Sequence, residues 1–461
     1  MKTAHGGADD RTGHRWTARD FRRALLLLFT VVAFGAGFTR SARRPPQSSF
    51  RVPFGRSQVA GGDGPRAASA GSPPRLSTRF ASRRHDVTAH AASLVELGDG
   101  RLRAFWFSGQ DEGNSDVQIL SATFDPLRDA WSEAGTVADA EGARRGLWRH
   151  VGKLGNPAAI RSSDGTLWLF VVTVPFGGWA NSTVTGLRSA DGGETWGPPR
   201  RLVGTPSFNL NTMVRGAPFE YADGTLGLPA YQSLLRGFAE ILRVDASGAV
   251  IDKQRLSTPG RGSQPVVLAT GPADAVALLR PSGQPPPRRV MLSRTSDAGR
   301  QWTPPAPTAL RSPDAALEGL ALPDGRLLAV LNDTDLERDT LSLVVSADVG
   351  RSWTTVHRLE DQVADRARPP DDDRYAGTVA ALARATDSTV TDASRYVSSS
   401  RRFMCWEPRC HFEFSYPSLV RTRRGEFHLL YTWNRAYIKH VRFTEAWLNE
   451  RLENASDASL R

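Results

Sequence analysis

Short apolar runs separated by tight turns fill the chain from about residue 87 to residue 445. Five of the turns place a glycine two residues before the Leu or Phe that begins the next run. These glycines are Gly100, Gly165, Gly224, Gly325 and Gly425. Apolar runs of about four to eight residues bounded by turn residues are typical of β-strands, and a short glycine turn between two runs predicts a hairpin. The pattern therefore predicts an all-β chain built of antiparallel strands.

A second pattern, Ser/Thr-x-Asp-x-Gly-x-x-Trp, occurs at residues 189–196, 295–302 and 346–353. Its Asp can accept backbone N–H bonds across a turn, its Gly can adopt a positive φ, and its Trp can cover the apolar side of a hairpin. Two reduced copies contain Asp125 and Asp245. The five Asp positions are 66, 54, 52 and 51 residues apart, a period typical of small antiparallel sheets in a radial array. Each repeat is then one blade of a propeller.

Both patterns together predict six blades. They lie near residues 87–135, 154–200, 213–252, 262–306, 314–357 and 412–445. The segment 358–411 matches no blade, and we interpret it as an insertion or a closing segment. We therefore predict a six-bladed β-propeller over residues 86–447 and a C-terminal tail over 448–461.

The N-terminal part has a different composition. Residues 24–38 form an apolar run of 15, two arginines precede it, and three more arginines follow within six residues. A spanning helix needs about 17–25 residues, and a run of this length is typical of a signal-peptide core. Because no small-x-small cleavage site follows, we favour an uncleaved signal-anchor at 24–39 over a cleaved signal peptide. A basic leader at 1–23 precedes it, and a disordered Pro/Gly/Ser/Arg-rich tether at 40–85 follows it.

The net charge of +11 is large enough to suggest a nucleic-acid partner, but the positive charge is concentrated in the N-terminal part of the chain. Residues 1–85 carry 16 Lys/Arg against 4 Asp/Glu, and the rest carries 43 against 44. The propeller is therefore nearly neutral, and we expect no nucleic-acid partner. The leader instead predicts a protein that is anchored in the inner membrane, with its propeller on the extracytoplasmic side, or that is secreted.

The chain has two cysteines, Cys405 and Cys410. In an exported protein this close, even pairing predicts a local disulfide, and two free thiols are the alternative. The sequence has neither a Cys/His cluster with zinc spacing nor a glycine-rich phosphate loop, so we expect no metal and no cofactor.

The repeated Ser/Thr-x-Asp-x-Gly-x-x-Trp motif, hereafter the Asp box, its period and the N-terminal leader together resemble the bacterial sialidase (neuraminidase) superfamily. In detail they resemble its divergent branch of sialidase-like or BNR (Asp-box) repeat proteins. The resemblance covers about residues 87–445. It implies a six-bladed propeller whose boxes lie on the outer rim, away from the site. Chemistry therefore has to be argued from the site residues themselves.

Propeller sites are lined by residues at the start of each innermost strand. Counting nine residues back from the turn glycine gives Asn156, Arg215, Ala316 and Tyr416, and His90 lies ten before Gly100. In the fourth blade, Gln264-Pro265 matches Asn156-Pro157 and Tyr416-Pro417 in form. The predicted ring of His90, Asn156, Arg215, Gln264 and Tyr416 is polar, which favours a wet, ligand-binding mouth. The alternative is that these side chains cap backbone groups around an unused channel.

The resemblance also implies roles for single residues. A sialidase holds the substrate carboxylate with arginines, attacks with a Tyr that a Glu activates, and uses an Asp as acid/base. Tyr416 matches the nucleophile, Arg280 matches a carboxylate-binding arginine, and Asp111 or Glu112 falls where the acid/base belongs. Arg435, near the end of the last blade, is a further candidate for ligand binding. An acidic glycan is the expected partner, and an exo-α-sialidase-like glycosidase is the expected function.

Three positions depart from the sialidase pattern. His90 replaces the first-strand arginine, Gln264 replaces the activating Glu, and Thr432 replaces the Glu that steadies the first arginine. Two alternatives follow. One is a propeller lyase for uronic acid-containing glycans, in which Arg215 and Arg280 neutralise the carboxylate while His90 or Tyr416 removes the α-proton. The other is a propeller that binds a glycan without turnover.

Overall fold

A computed structural model of the chain describes residues 17–42, 45–52, 73–204, 211–364, 370–406 and 409–459. Its first element is the helix α1 (Ala18–Ala42), which belongs to a compact unit separate from the rest of the fold. The stretch Ala18–Thr39 is apolar and long enough to cross a membrane. The helix is longer than the predicted apolar run of residues 24–38, since it begins six residues before that run and ends four residues after it. Such a helix is typical of a signal sequence or a membrane anchor.

The predicted six-bladed β-propeller is confirmed. Strand β1 (Leu76–Phe80) comes first. The first blade contains β2 (His90–Glu96), β3 (Leu102–Ser108), β4 (Gln118–Asp125), β5 (Ala130–Trp131) and β6 (Gly135–Ala138). The second contains β7 (Lys153–Arg161), β8 (Leu167–Val174), β9 (Thr183–Ser189) and β10 (Arg200–Arg201). The third contains β11 (Met213–Val214), β12 (Phe219–Glu220), β13 (Leu226–Gln232), β14 (Phe238–Val244) and β15 (Val250–Arg255).

The other three blades complete the ring. The fourth contains β16 (Ser263–Ala269), β17 (Ala275–Arg280), β18 (Arg289–Thr295) and β19 (Ala306–Arg311). The fifth contains β20 (Glu318–Ala321), β21 (Leu327–Leu331), β22 (Thr340–Ser346) and β23 (Thr354–Asp361). The hairpin β24 (Cys405–Trp406) and β25 (Arg409–Cys410) precedes the sixth, which contains β26 (Phe414–Arg421), β27 (Phe427–Trp433) and β28 (Tyr437–Phe443). Within each blade the strands follow chain order and pair antiparallel, and β26 contacts β2, which closes the ring.

The Asp boxes join the third strand to the fourth. In the second blade, the Asp191 carboxylate accepts the backbone N–H of Thr195 at 3.0 Å, and Gly193 has φ +94°. Trp196 packs against the apolar cluster that the first two blades share. The hairpin geometry predicted from the motif is thereby confirmed.

The N-terminal strand corrects the predicted domain boundary. Strand β1 pairs antiparallel with β28, with Leu76 opposite Phe443, so the sixth blade takes its outermost strand from the predicted tether. Phe50 is also buried, against Phe219 and Tyr221 of the third blade. The prediction of a disordered tether is therefore wrong for these segments, because strand pairing and burial order a polar-looking sequence. Residues 53–72 of the predicted tether lie outside the described residues.

Two helical segments flank the sixth blade. Helix α2 (Ala140–Leu147) lies between the first and second blades. The predicted insertion at 358–411 contains the helices α3 (Asp372–Thr386) and α4 (Ser394–Met404). A disulfide between Cys405 and Cys410 closes the hairpin that follows α4. The residues predicted as a tail instead continue the helix α5 (Glu445–Ser459), in which Leu448 is fully buried in the cluster of the last two blades. Two short 3₁₀ turns lie at Trp179–Asn181 and Leu234–Arg236.

We expect Phe80→Ala to lower the free energy of unfolding by about 3 kcal/mol or more, because its ring is buried against Trp433 and Tyr437. Urea unfolding of the purified protein measures the loss. Leu76→Ala in the same strand is the control, since Leu76 is 38% exposed and its truncation should cost less than about 1 kcal/mol. Equal losses for the two variants would contradict a closing role for β1.

Two buried histidines connect the last blade to the first. His428 Nδ1 lies 3.0 Å from His440 Nε2, and the indole N–H of Trp131 donates to His440 Nδ1 at 3.2 Å. Burial lowers the pKa of His428 to about 3 and also lowers the pKa of His440. Both rings are therefore neutral in the folded protein at neutral pH.

These pKa values predict a loss of stability in acid. Below a pH of about 6.5 the unfolded chain binds protons that folded His428 does not bind, so stability falls by about 1.4 kcal/mol per pH unit for such a histidine until its folded pKa is reached. The melting temperature should fall steadily from pH 6.5 toward pH 4, and it should fall less in His428→Gln. A melting temperature that stays constant or rises over this range would refute the assignment.

Candidate active site

A cavity of about 370 Å³ opens where the innermost strands of several blades begin. Asn156, Gln264 and Tyr416, from the second, fourth and sixth blades, line it together with Arg280. A wider depression of about 580 Å³ lies beside the Asp box of the fourth blade. We place the site in the smaller cavity because three of the five predicted ring residues meet there, whereas His90 and Arg215 do not line it.

The ring residues project into the cavity because of a repeated β-bulge. Asn156, Gln264 and Tyr416 have positive φ values of 30°, 45° and 53°, and each lies where the register of its innermost strand shifts. A bulge residue takes no part in the hydrogen bonds between the paired strands, so its side chain is turned away from the sheet. Positive φ at non-glycine residues is strained and is often found at functional sites.

The same bulge corrects the assignment in the first blade. There Ala91 has φ +54°, and the register shifts between His90 and Ser93. Ala91 is thus equivalent to Tyr416, and His90 is the residue before it. His90 is buried under the cavity wall, with its ring centroid 4.3 Å from that of Tyr416, and it does not line the cavity. The count of nine residues before Gly100 gives Ala91, and the prediction took His90, ten residues before it, because alanine has no polar group.

Three guanidinium groups surround Tyr416. Arg280 Nη1 lies 3.5 Å from the Tyr416 hydroxyl oxygen. The Cζ atoms of Arg215 and Arg338 lie 5.1 Å and 5.9 Å from the centre of its ring. Cations at these distances stabilise negative charge on a ligand or on the phenol oxygen. Arg338 was not predicted, because it lies in a polar loop before β22 that carries no repeated spacing.

Carboxylates hold two of these arginines. Arg280 Nε pairs with Asp314 Oδ1 at 2.7 Å, and Arg338 Nη1 pairs with Glu413 Oε1 at 3.2 Å. Burial opposes ionisation of Glu413, but the charges of Arg338 and Arg435 and the hydrogen bond from Ser415 together outweigh it, and the pKa of Glu413 is lowered to about 2. Burial likewise opposes ionisation of Asp314, and Arg280 lowers its pKa. Both carboxylates are therefore ionised at neutral pH and fix the arginines in place.

Gln264 and Thr432, which replace two glutamates of the sialidase pattern, each accept a hydrogen bond with a neutral side chain. Gln264 Oε1 accepts a hydrogen bond from Arg280 Nη1 at 3.1 Å. Thr432 Oγ1 accepts the backbone N–H of Ala91 at 3.1 Å. Gln264 thus orients an arginine without taking up a proton, and Thr432 fixes the bulge of the first blade.

A buried acid, Glu318, lies close enough to Arg215 to feel its charge, and neither residue lines the cavity. Arg215 is buried, and it donates from Nη2 to the carbonyl oxygen of Pro417. Burial raises the pKa of Glu318 to about 7, although the nearby charge of Arg215 opposes the rise. Glu318 follows Ala316, the position that the glycine ruler selected, by two residues. The count of nine residues missed Glu318 because it falls on the apolar residue Ala316.

The first-blade loop contributes Glu112. Its side chain lines the cavity and forms an ion pair with Arg435, whose Nε also lies 4.0 Å from Glu413 Oε2. Asp111 is exposed, accepts the Glu112 backbone N–H at 2.7 Å and does not line the cavity. Of the two predicted acid/base candidates, the geometry brings only Glu112 to the cavity.

The remaining cavity wall comes from the second and third blades. Asn156 Nδ2 donates to the hydroxyl of Tyr231 at 3.3 Å, and burial raises the pKa of Tyr231 to about 12. Trp179 and Arg236 line the wall as well. Tyr231, Trp179 and Arg236 were not predicted, because they lie on strands and loops outside the bulge positions. His90 stays neutral near pH 7, since burial lowers its pKa to about 3.

Comparisons with known proteins agree with this architecture. The sequence profile of the BNR repeat-like domain matches residues 100–429. The Hadza microbial sialidase Hz136 is 16% identical with a TM-score of 0.57, over 78% of this chain and 66% of that chain. A protein of unknown function from Dyadobacter fermentans is 14% identical with a TM-score of 0.57, over 80% and 98%. Trypanosoma rangeli sialidase is 13% identical with a TM-score of 0.55, over 82% and 61%. These identities show the fold alone, and no curated protein matches the sequence.

Proposed function

This chain belongs to the BNR repeat-like domain family, and from that membership and its cavity we propose that it is an exported enzyme that hydrolyses the linkage of a terminal acidic sugar in a glycan. The main support for this proposal is the surroundings of the Tyr416 hydroxyl. The Tyr416 hydroxyl faces a cavity beside Arg280, and Arg215 and Arg338 lie along the same ring. A phenol among three cations suits both the binding of a carboxylate and attack by the phenol oxygen.

The proposed reaction uses residues that line or adjoin the cavity. Arg280, fixed by Asp314, donates to the carboxylate of the sugar and holds it beside Tyr416. The Tyr416 hydroxyl first gives its proton to solvent water. Its oxygen then forms a bond to the anomeric carbon while the bond to the leaving oxygen breaks, and Glu112 gives that oxygen its proton. Water next attacks the anomeric carbon while Glu112 takes a proton from it and the bond to the Tyr416 oxygen breaks, which returns Glu112 and the tyrosine oxygen to their starting states.

A second candidate, elimination from a uronic acid, is favoured by the surroundings of the phenol. Among the described residues, the Tyr416 hydroxyl has a hydrogen bond from Arg280 and none to a carboxylate, and Gln264 cannot take up its proton. In this reaction the Tyr416 oxygen, after its own proton has passed to water, removes the proton α to a carboxylate that Arg280 neutralises. The bond to the leaving oxygen of the neighbouring sugar then breaks as the C=C bond forms, and that oxygen takes the proton from Tyr416.

An assay on a panel of sialylated glycans and polyuronides tests the proposal. Release of the free acidic sugar supports hydrolysis, and a rise in ultraviolet absorbance from an unsaturated product supports elimination. Binding of acidic glycans with neither product would establish a glycan-binding propeller and overturn the enzymatic proposal. Failure to bind any acidic glycan would overturn the functional assignment as a whole.

The N-terminal helix supports the exported part of the proposal. The span Ala18–Thr39 has the length and composition of a membrane segment, and the disulfide Cys405–Cys410 suits an oxidising compartment. We propose that α1 anchors the protein in the membrane with the propeller on the extracytoplasmic side. Accessibility of the propeller to an added protease in intact, outer-membrane-permeabilised cells tests this placement.

A further inference from the structure

Arg236 lies on the wall of the same cavity, in the 3₁₀ turn between β13 and β14. Its backbone has φ +73°, and its carbonyl oxygen accepts the N–H of Gly260 at 2.9 Å. The guanidinium lies over Gly260, where an added Cβ would be only 3.0 Å from Arg236 Nε. Positive φ at a non-glycine residue costs about 1–3 kcal/mol and persists only where the surroundings impose it. The turn thus holds this side chain at the cavity despite the strain.

Arg236 differs in charge balance from three other arginines of the site. Arg280, Arg338 and Arg435 pair with Asp314, Glu413 and Glu112, respectively. Among the described residues, no carboxylate lies within 4.0 Å of the Arg236 guanidinium and no side-chain hydrogen bond to it is formed. A positive group at a cavity without a counter-charge attracts an anion from solution. Bidentate contact with a carboxylate or a sulfate is what the guanidinium shape favours.

The loop after Arg280 lies against the turn that carries Arg236. An added Cβ at Gly283 would be 3.5 Å from the Arg236 carbonyl oxygen, and Gly283 follows Arg280 by three residues. Ser282 and Ser233 also line this part of the cavity and supply hydroxyl groups. Two cationic positions therefore border one cavity, one beside Tyr416 and one on the wall of the third blade.

We propose that Arg236 forms a second anion subsite, so that the preferred ligand is a glycan that carries a second acidic group, carboxylate or sulfate, next to its terminal acidic sugar. This inference rests on the proposed function, because it takes the first acidic group to bind beside Tyr416. It narrows the ligand class from glycans with one acidic sugar to glycans with adjacent acidic groups.

Isothermal titration with matched oligosaccharides tests the subsite. Each terminal acidic sugar, sialic or uronic, is presented next to a neutral sugar, a uronic acid or a sulfated sugar. The unaltered protein should bind the two-acid probes about tenfold or more tightly than the one-acid probe. In Arg236→Gln this preference should vanish while one-acid affinity stays within about twofold. Arg261→Gln is the matched control, because Arg261 is exposed nearby and does not line the cavity.

The possible outcomes separate this inference from the proposed function. In Arg236→Gln, the preference over the one-acid probe can be lost for the uronic acid probe alone, for the sulfated probe alone or for both. Each of these results supports the subsite and identifies its anion. Equal affinity of the unaltered protein for one-acid and two-acid probes overturns the subsite and leaves the proposed function standing. An equal loss for all probes in Arg236→Gln also overturns it, because Arg236 would then shape the cavity and recognise no second anion. Failure of every acidic probe to bind overturns both.

Discussion

Tyr416→Phe is expected to lower turnover of an acidic glycan by about 10³-fold or more and to leave its affinity within a few-fold of the original value. The change removes one oxygen atom and keeps the ring. Contacts of that ring with His90, Arg215 and Arg338 therefore remain, and the cavity keeps its shape. Steady-state kinetics give the loss of kcat, and titration calorimetry gives the unchanged Kd.

Tyr231→Phe is the matched control. Tyr231 is the other phenol of the cavity, and its hydroxyl accepts a hydrogen bond from Asn156. We expect its removal to reduce turnover by less than about tenfold, because a single neutral hydrogen bond contributes only about 0.5–1.5 kcal/mol. If Tyr416→Phe retained turnover, or if both variants lost it equally, Tyr416 would not be the reacting group.

The second large effect is expected from Arg280→Met, which should weaken binding of an acidic glycan by about 10²–10³-fold. Losing one partner of a desolvated charge pair costs about 2–5 kcal/mol. Here the substitution removes the contact to the ligand carboxylate and also leaves Asp314 without its partner at 2.7 Å. An unpaired Asp314 would repel the incoming anion. Titration of the unaltered protein and the variant at one ionic strength measures the loss.

A second substitution separates the two causes. Arg280→Met combined with Asp314→Asn removes the unpaired charge, so we expect the melting temperature to recover while the affinity stays low. Arg289→Met is the control, because Arg289 pairs with Asp335 and does not line the cavity. Recovery of affinity in the double variant would mean that Arg280 only neutralises Asp314 and does not bind the ligand.

The periodic part of the fold could be predicted from the sequence. Five of the six blades carry a glycine turn and five carry a full or reduced Asp box. Both turns are specified by local chemistry such as the Asp191–Thr195 hydrogen bond. The ring closure could not be predicted, because Leu76–Phe80 is ordered by its pairing with β28 and Phe80 by burial among aromatic rings. Contacts between the two ends of a chain have no local signature.

The site residues likewise fall into one group that could be predicted from the sequence and one group that could not. Asn156, Gln264 and Tyr416 occupy one repeated bulge. The spacing from the turn glycines identified Asn156 and Tyr416, and the proline that follows each of them identified Gln264 by analogy. The unpredicted residues Arg338 and Glu413 lie on loops of different length, where no period applies. His90 was misplaced by one residue because the bulge makes neighbouring residues face different sides. The resemblance to sialidases supplied Arg280, whose surroundings then came only from three-dimensional contacts.

A crystal structure of the propeller with a non-hydrolysable, thio-linked acidic oligosaccharide is the most direct test of a shared binding cavity. We expect the sugar carboxylate at about 2.7–3.2 Å from the Arg280 guanidinium and the anomeric carbon at about 3–3.5 Å from the Tyr416 hydroxyl oxygen. A ligand bound on the Asp-box rim, or bound in the cavity with its carboxylate turned away from Arg280, would contradict the proposed site.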